Sequence, residues 1–248
     1  MGVEQVFCLP HAGGGSHQYL AWSTALAPSF RWVPLEYPGH FTRDDEPHYA
    51  DFDAAVAGLG EEIERRAEGG SVGLFGHSLG GALAFEVGRL LSARGRLRLH
   101  AVVVSGAEAP GALRGTRERY FELDDAEFLR HLESHEGAGA GDPLARQLLV
   151  EALPLLRRDY RLHHSYRPAV HASINVPLHV CWGDAEEPPD GAEPMREWRS
   201  HAGAAVHFHR FAGGHFYWRP DPSHLTEVLR GVFTAPPSDD TDRTTPWR

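Results

Sequence analysis

The chain has 248 residues, 42% of them hydrophobic, which is enough for one substantial core, so a single domain is expected. With 24 basic against 34 acidic side chains the formal charge is −10, which excludes the basic excess that favours nucleic-acid or anionic-membrane partners. Every basic residue is an arginine, so chemistry that needs a lysine amine, such as a pyridoxal Schiff base or a Walker A phosphate site, is excluded as well.

Short β-branched or aromatic runs at Gln5–Leu9, Arg31–Leu35, Ser71–Phe75, His100–Ser105, Leu178–Trp182 and Val206–Phe211 predict strands of near-continuous apolar character, as in a parallel sheet covered on both faces. Segments of helical period lie between them at His17–Ala27, Asp51–Ala67, Leu79–Ala93, Pro194–His201 and Asp221–Phe233, so strand and helix alternate in an α/β architecture. Residues 109–168 interrupt the alternation with helical patterns at Asp124–Glu133 and Pro143–Arg158 and no clear strand, and read as an inserted helical lid. The glycine-rich run Glu136–Gly141 predicts a joint between the two lid helices, and the leucines of the second supply an apolar face for an acyl pocket or for packing on the sheet. The domain is placed at residues 1–234, with 235–248, rich in Pro, Asp and Thr, expected to be disordered.

Cys8 and Cys181 each fall inside a strand-like run and read as buried thiols rather than as a disulfide or metal pair. The 17 histidines include spaced pairs such as His207 and His209, but no cysteine or carboxylate constellation accompanies them, so neither a metal site nor a cofactor is expected. Asn175, the only asparagine, is followed by Val176 and Pro177 and is no glycosylation acceptor. No apolar run approaches the ~18 residues of a membrane span, and the expected location is the cytoplasm.

The sharpest chemical signal is Gly76-His77-Ser78-Leu79-Gly80, a G-x-S-x-G run between a strand and a helix. In that context Ser78 is the expected nucleophile, held on a sharp turn that only small flanking residues allow. Pro10-His11-Ala12-Gly13-Gly14-Gly15 follows the first strand, where backbone N–H groups can face a developing oxyanion; Ala12 and Leu79 are the candidate donors. His215, in the loop after the last strand, is the expected base. The acid is sought after the penultimate strand, in Gly183-Asp184-Ala185-Glu186-Glu187-Pro188. Asp184 is favoured for its short side chain near the strand end; Glu186 and Glu187 stay open, and Glu108 is a fourth candidate after an earlier strand.

From Val6 to about Phe233 the chain resembles the free-standing type II thioesterases of polyketide and nonribosomal-peptide assembly lines, members of the α/β-hydrolase superfamily. Besides the motifs already named, the resemblance rests on Glu36-Tyr37-Pro38-Gly39-His40, Val104-Ser105-Gly106, Arg158-Asp159-Tyr160 and Gly213-Gly214-His215-Phe216. It implies an α/β-hydrolase fold with a mostly parallel sheet and helical lid, Ser78 and His215 as nucleophile and base, and Ala12 and Leu79 at the oxyanion hole. The three-residue step from Gly183 to Glu186 matches the spacing of that family's acid. The implied activity is removal of stalled or aberrant acyl groups from the phosphopantetheine arm of an acyl or peptidyl carrier protein. Two other readings stand beside it: a carboxylesterase or lipase-like hydrolase of free esters, and a catalytically weak module that binds carrier proteins.

Overall fold

The computed structural model describes residues 5–114, 118–136, 143–186 and 193–235. Strands β1 (Gln5–Leu9), β2 (Arg31–Pro34), β3 (Ser71–His77), β4 (Arg98–Ser105), β5 (Leu178–Gly183) and β6 (Val206–Phe211) form one sheet. Their order is β2-β1-β3-β4-β5-β6, and every pair is parallel. All six strands lie where the apolar runs predict them.

Residues within a strand alternate between two cores. Phe7 and Leu9 of β1, Leu74 of β3 and Val102 and Val104 of β4 pack against α3 (Phe52–Arg66) and α4 (Leu79–Arg94). Val6, Cys8, Phe75, Ala101 and Val103 point the other way, onto α1 (His17–Leu20), α2 (Trp22–Leu26) and α8 (Ser223–Thr234). With helices on both faces the strands are apolar on both sides, which is why their sequences lack strict polar alternation. The chain leaves β1 toward β2 on one side, whereas β3 and β4 lie on the other, so the strand order reverses between β1 and β3, the place where open α/β sheets bind ligands beyond their carboxyl ends.

Between β4 and β5 the described residues contain no strand. They hold α5 (Asp125–Glu136), α6 (Pro143–Ser165) and 3-10 turns at Ala112–Arg114 and Tyr120–Glu122. The expected joint at 137–141 and the tail 236–248 lie outside the described residues. The predicted helix His17–Ala27 is instead two short helices that meet at Ala21, and the segment predicted at Pro194–His201 is a short α7 (Glu193–Arg196) running into a 3-10 turn. Helix α6 runs seven residues beyond the predicted Arg158 because its buried stripe, Leu153, Leu156, Asp159 and Leu162, continues through a polar stretch of sequence. Asp159 sits on the buried side of that helix although its type argues for the surface. Among the described residues no helix is long and apolar enough to cross a membrane.

The β3–α4 turn is a single residue long. Ser78 has φ 55° and ψ −120°, and Leu79 begins α4 at the next residue. A side chain at Gly76 would run into the Gly80 carbonyl, so the turn requires glycine there. We expect Gly76→Ala to lower the unfolding free energy by more than about 2 kcal/mol, since backbone must shift to admit the methyl group. Gly231, in α8, faces open space, and Gly231→Ala is expected to raise stability by about 0.5–1 kcal/mol. Urea denaturation of the two variants checks both signs.

Candidate active site

The loops that follow β1, β3, β5 and β6 meet at the carboxyl edge of the sheet. Ser78 lies at the tip of the elbow, and its amide donates to the Ser105 carbonyl at the end of β4 (2.8 Å). Leu79 is the first residue of α4, where unpaired amides and the positive end of the helix dipole favour negative charge. The His77 ring, fully buried beside Ser78, lies 4.8 Å from the His215 ring between centroids, which brings the base loop next to the elbow.

The acid loop and the base loop are stapled together. Ala185 N–H donates to the Gly213 carbonyl (2.9 Å), and Gly213 N–H donates to Asp184 Oδ1 (2.9 Å). A side chain at Gly183 would strike the Gly213 and Gly214 carbonyls, so only glycine permits the loops to approach this closely. Asp184 and Glu186 form the two ends of a one-turn 3-10 helix, Asp184–Glu186. Successive residues there project about 120° apart, so the two carboxylates face different partners. Glu186 Oε1 lies 2.6 Å from His215 Nδ1.

Of the two carboxylates weighed for the place beside His215, the structure brings Glu186 to the imidazole and Asp184, the one favoured from sequence, to the Gly213 amide of the loop that carries it. Proximity to the strand end, the ground for preferring Asp184, is what commits its carboxylate to the Gly213 amide. Glu108 is exposed, and Glu187 lies outside the described residues.

Ala12 is half-buried in the loop after β1 and packs against the α5–α6 cluster of Phe128, Leu132, Leu153 and Leu156. The loop is held from three sides. Tyr37 Oη donates to the Pro10 carbonyl (2.8 Å), Gly14 N–H returns to the His11 carbonyl (2.9 Å), and Gly13 N–H donates to Asp159 Oδ2 (2.7 Å). The same Asp159 oxygen lies 3.0 Å from His40 Nε2, and both side chains are buried. Burial opposes a charged His40, yet the hydrogen bond and charge of Asp159 outweigh it and raise the imidazole above its usual range. Sequence reading singled out Glu36–His40 and Arg158–Tyr160 only as markers of resemblance; here His40 and Asp159 join α6 to the glycine loop.

His11 and His77 stay neutral beside the site. Burial lowers both below the ordinary imidazole range, with the positive charge of Arg219 adding to it at His11 and the neighbouring His215 ring adding to it at His77. Of the three imidazoles His11, His77 and His215, His215 is the one paired with a carboxylate, that of Glu186. Ser78, His215 and Glu186 stand on adjoining loops, an arrangement chemically suited to acyl transfer through a covalent serine intermediate.

Residues 4–235 match the protein family described as "Thioesterase domain". The chain is 31% identical over 213 residues to the thioesterase PikA5 of Streptomyces venezuelae, a match covering 86% of this chain and 75% of that protein. Among solved structures it is similar to the type II thioesterase BorB from the borrelidin biosynthetic cluster, with a TM-score of 0.82, 31% identity and 93% of each chain covered. It is also similar to ClbQ from the colibactin NRPS/PKS pathway, with a TM-score of 0.81, 25% identity, and 93% of this chain and 96% of that one covered.

Two outcomes follow from the geometry. Glu186→Gln should lower kcat by at least about 100-fold because the imidazole loses its charged partner, whereas Asp184→Asn should cost less than about 10-fold; steady-state kinetics on one acyl thioester separates them. His40 carries a raised pKa, so its pairing with Asp159 contributes stability that is fully present below the unfolded-state pKa of about 6.5 and fades as pH rises through the folded value. The stability advantage of the parent over His40→Gln should accordingly be larger at pH 5.5 than at pH 9, as measured by urea unfolding.

Proposed function

Since the chain belongs to the thioesterase family, we propose that it hydrolyses acyl thioesters carried on the phosphopantetheine arm of acyl or peptidyl carrier proteins, in polyketide or nonribosomal-peptide synthesis. The substrates are stalled or aberrant acyl groups, and the reaction runs through an acyl-enzyme on Ser78. The observation that carries this reading is the pairing of His215 with Glu186 beside a serine held at positive φ on a strand-to-helix turn. BorB and ClbQ, described as coming from the borrelidin biosynthetic cluster and the colibactin NRPS/PKS pathway, support the assembly-line setting.

In the first half-reaction Ser78 Oγ attacks the thioester carbonyl while His215 Nε2 takes the hydroxyl proton. The amides of Ala12 and Leu79 receive the oxyanion. Glu186 holds His215 Nδ1–H, which fixes the tautomer and steadies the imidazolium as it forms. The C–S bond then breaks and the departing pantetheine sulfur takes the proton from His215. Water, deprotonated by the same imidazole, attacks the acyl-serine, and the free acid leaves as Ser78 regains its proton. A thiol of pKa about 8.5 departs far more readily than an alcohol or amine, so the demand on the acid is modest.

Residues 109–168 act as the lid of this site. The α5–α6 cluster of Phe128, Leu132, Leu153 and Leu156 packs against Ala12, so an acyl group seated on Ser78 meets apolar side chains from the lid rather than bulk water. The two cysteines are buried free thiols, in keeping with a place in the cytoplasm.

Kinetics on one acyl group presented in three forms tests the proposal. On a phosphopantetheinylated carrier it should give kcat/KM at least about 10-fold above that on a small thiol, because added protein contacts contribute to transition-state binding. The matched oxygen ester should be at least about 100-fold poorer than the small thioester. Equal rates on carrier and small thiol would remove the carrier from the account, and preference for the oxygen ester would make the protein an esterase.

A further inference from the structure

Ser78 and His215 reside on loops that follow β3 and β6, strands that do not touch, because β4 and β5 lie between them. Sheet hydrogen bonding alone therefore leaves their relative position dependent on two intervening strands. A buried side-chain relay crosses that gap. His77 Nδ1 lies 2.9 Å from Ser105 Oγ, and Ser105 Oγ lies 2.7 Å from Tyr217 Oη. His77 immediately precedes the nucleophile, and Tyr217 follows the base by two residues.

Ser105 is the hub of this relay. It is the last residue of β4, its carbonyl accepts the amide of Ser78 at 2.8 Å, and its side chain, fully buried, meets both His77 and Tyr217. A serine hydroxyl donates one hydrogen bond and accepts others, so one small side chain satisfies two partners. The two arms are themselves fixed. Tyr217 stacks on Phe211 of β6, with centroids 4.6 Å apart and planes 13° apart, and its amide donates to the Gly214 carbonyl (3.0 Å). His77 is enclosed by the rings of His11, His215, Phe216 and Trp218. Burial holds the Tyr217 phenol protonated and the His77 imidazole neutral, so the relay keeps its hydrogen-bonding pattern across the working pH range.

We propose that Ser105 is a positioning residue for hydrolysis, setting the register of Ser78 against His215 through His77 and Tyr217. This rests on the reading of Ser78 and His215 as nucleophile and base. Effective molarity falls steeply with small displacements of reacting groups, so loosening the relay weakens the chemical step and leaves substrate binding in place.

The test is steady-state kinetics on Ser105→Ala, Tyr217→Phe, the double variant and Ser78→Ala, with circular dichroism melting of each. Ser105→Ala and Tyr217→Phe should each lower kcat by about 10- to 100-fold with KM within about 2-fold of the parent, and the double variant should be no worse than about 3-fold below the poorer single, as expected for two members of one relay. A kcat within about 2-fold of the parent in folded Ser105→Ala overturns the proposal, as does a loss that appears in KM alone or that multiplies in the double variant. If Ser105→Ala fails to fold, Tyr217→Phe decides by the same criteria, since it removes one oxygen and keeps the stacked ring. Parental activity in Ser78→Ala would instead overturn the serine mechanism, so the two failures are distinct.

Discussion

The left-handed turn at Ser78 is the constraint on which the rest of the site depends. A non-glycine residue at φ 55° is strained by an amount on the order of 1–3 kcal/mol, and it persists because its surroundings over-determine it. Gly76 lets strand and helix close on one another, the Ser78 amide is tied to β4, and α4 is buried along most of its length against the sheet. The same geometry puts the start of α4 at the carboxyl end of β3, beside the point where strand order reverses. Every other functional group then has only to reach the carboxyl edge of one sheet, and loops after four parallel strands arrive there by topology.

Three carboxylates near that edge show how position divides a shared chemistry. Glu186 meets the imidazole, Asp184 meets a backbone amide of the loop that carries it, and Asp159 reaches from α6 to a glycine amide 146 residues earlier in the chain. Only the first touches the imidazole proposed as the base. The other two hold loops, which makes the positions of Ala12 and His215 depend on elements outside the sheet, the lid helix among them. The imidazoles divide in a similar way: burial lowers the pKa of His11 and His77, whereas His215 faces Glu186 and His40 faces Asp159.

The strands were readable because burial on both faces writes an uninterrupted apolar run, and the elbow because a strand, G-x-S-x-G and a helix coincide in one stretch of chain. Features that arise between distant segments were not. Asp184, Glu186 and Glu187 look alike in a loop, and only the 3-10 turn decides which of the described pair points at His215. The far end of α6 was missed because Arg157, Arg158, Asp159, Arg161, His163 and His164 read as a solvated surface, whereas Asp159 and Leu162 extend its buried stripe. Ser105 reads as the polar end of a strand, and its role as a hub depends on residues 28 and 112 positions away.

The central claim is that hydrolysis passes through an acyl group on Ser78, and acid-quenched mass spectrometry of the enzyme mixed with an acyl-carrier thioester tests it most directly. A transient adduct of the acyl mass is expected on the peptide that carries Ser78, forming and decaying at rates consistent with turnover and absent from Ser78→Ala. Turnover with the adduct on another residue, or parental turnover by Ser78→Ala, would contradict it.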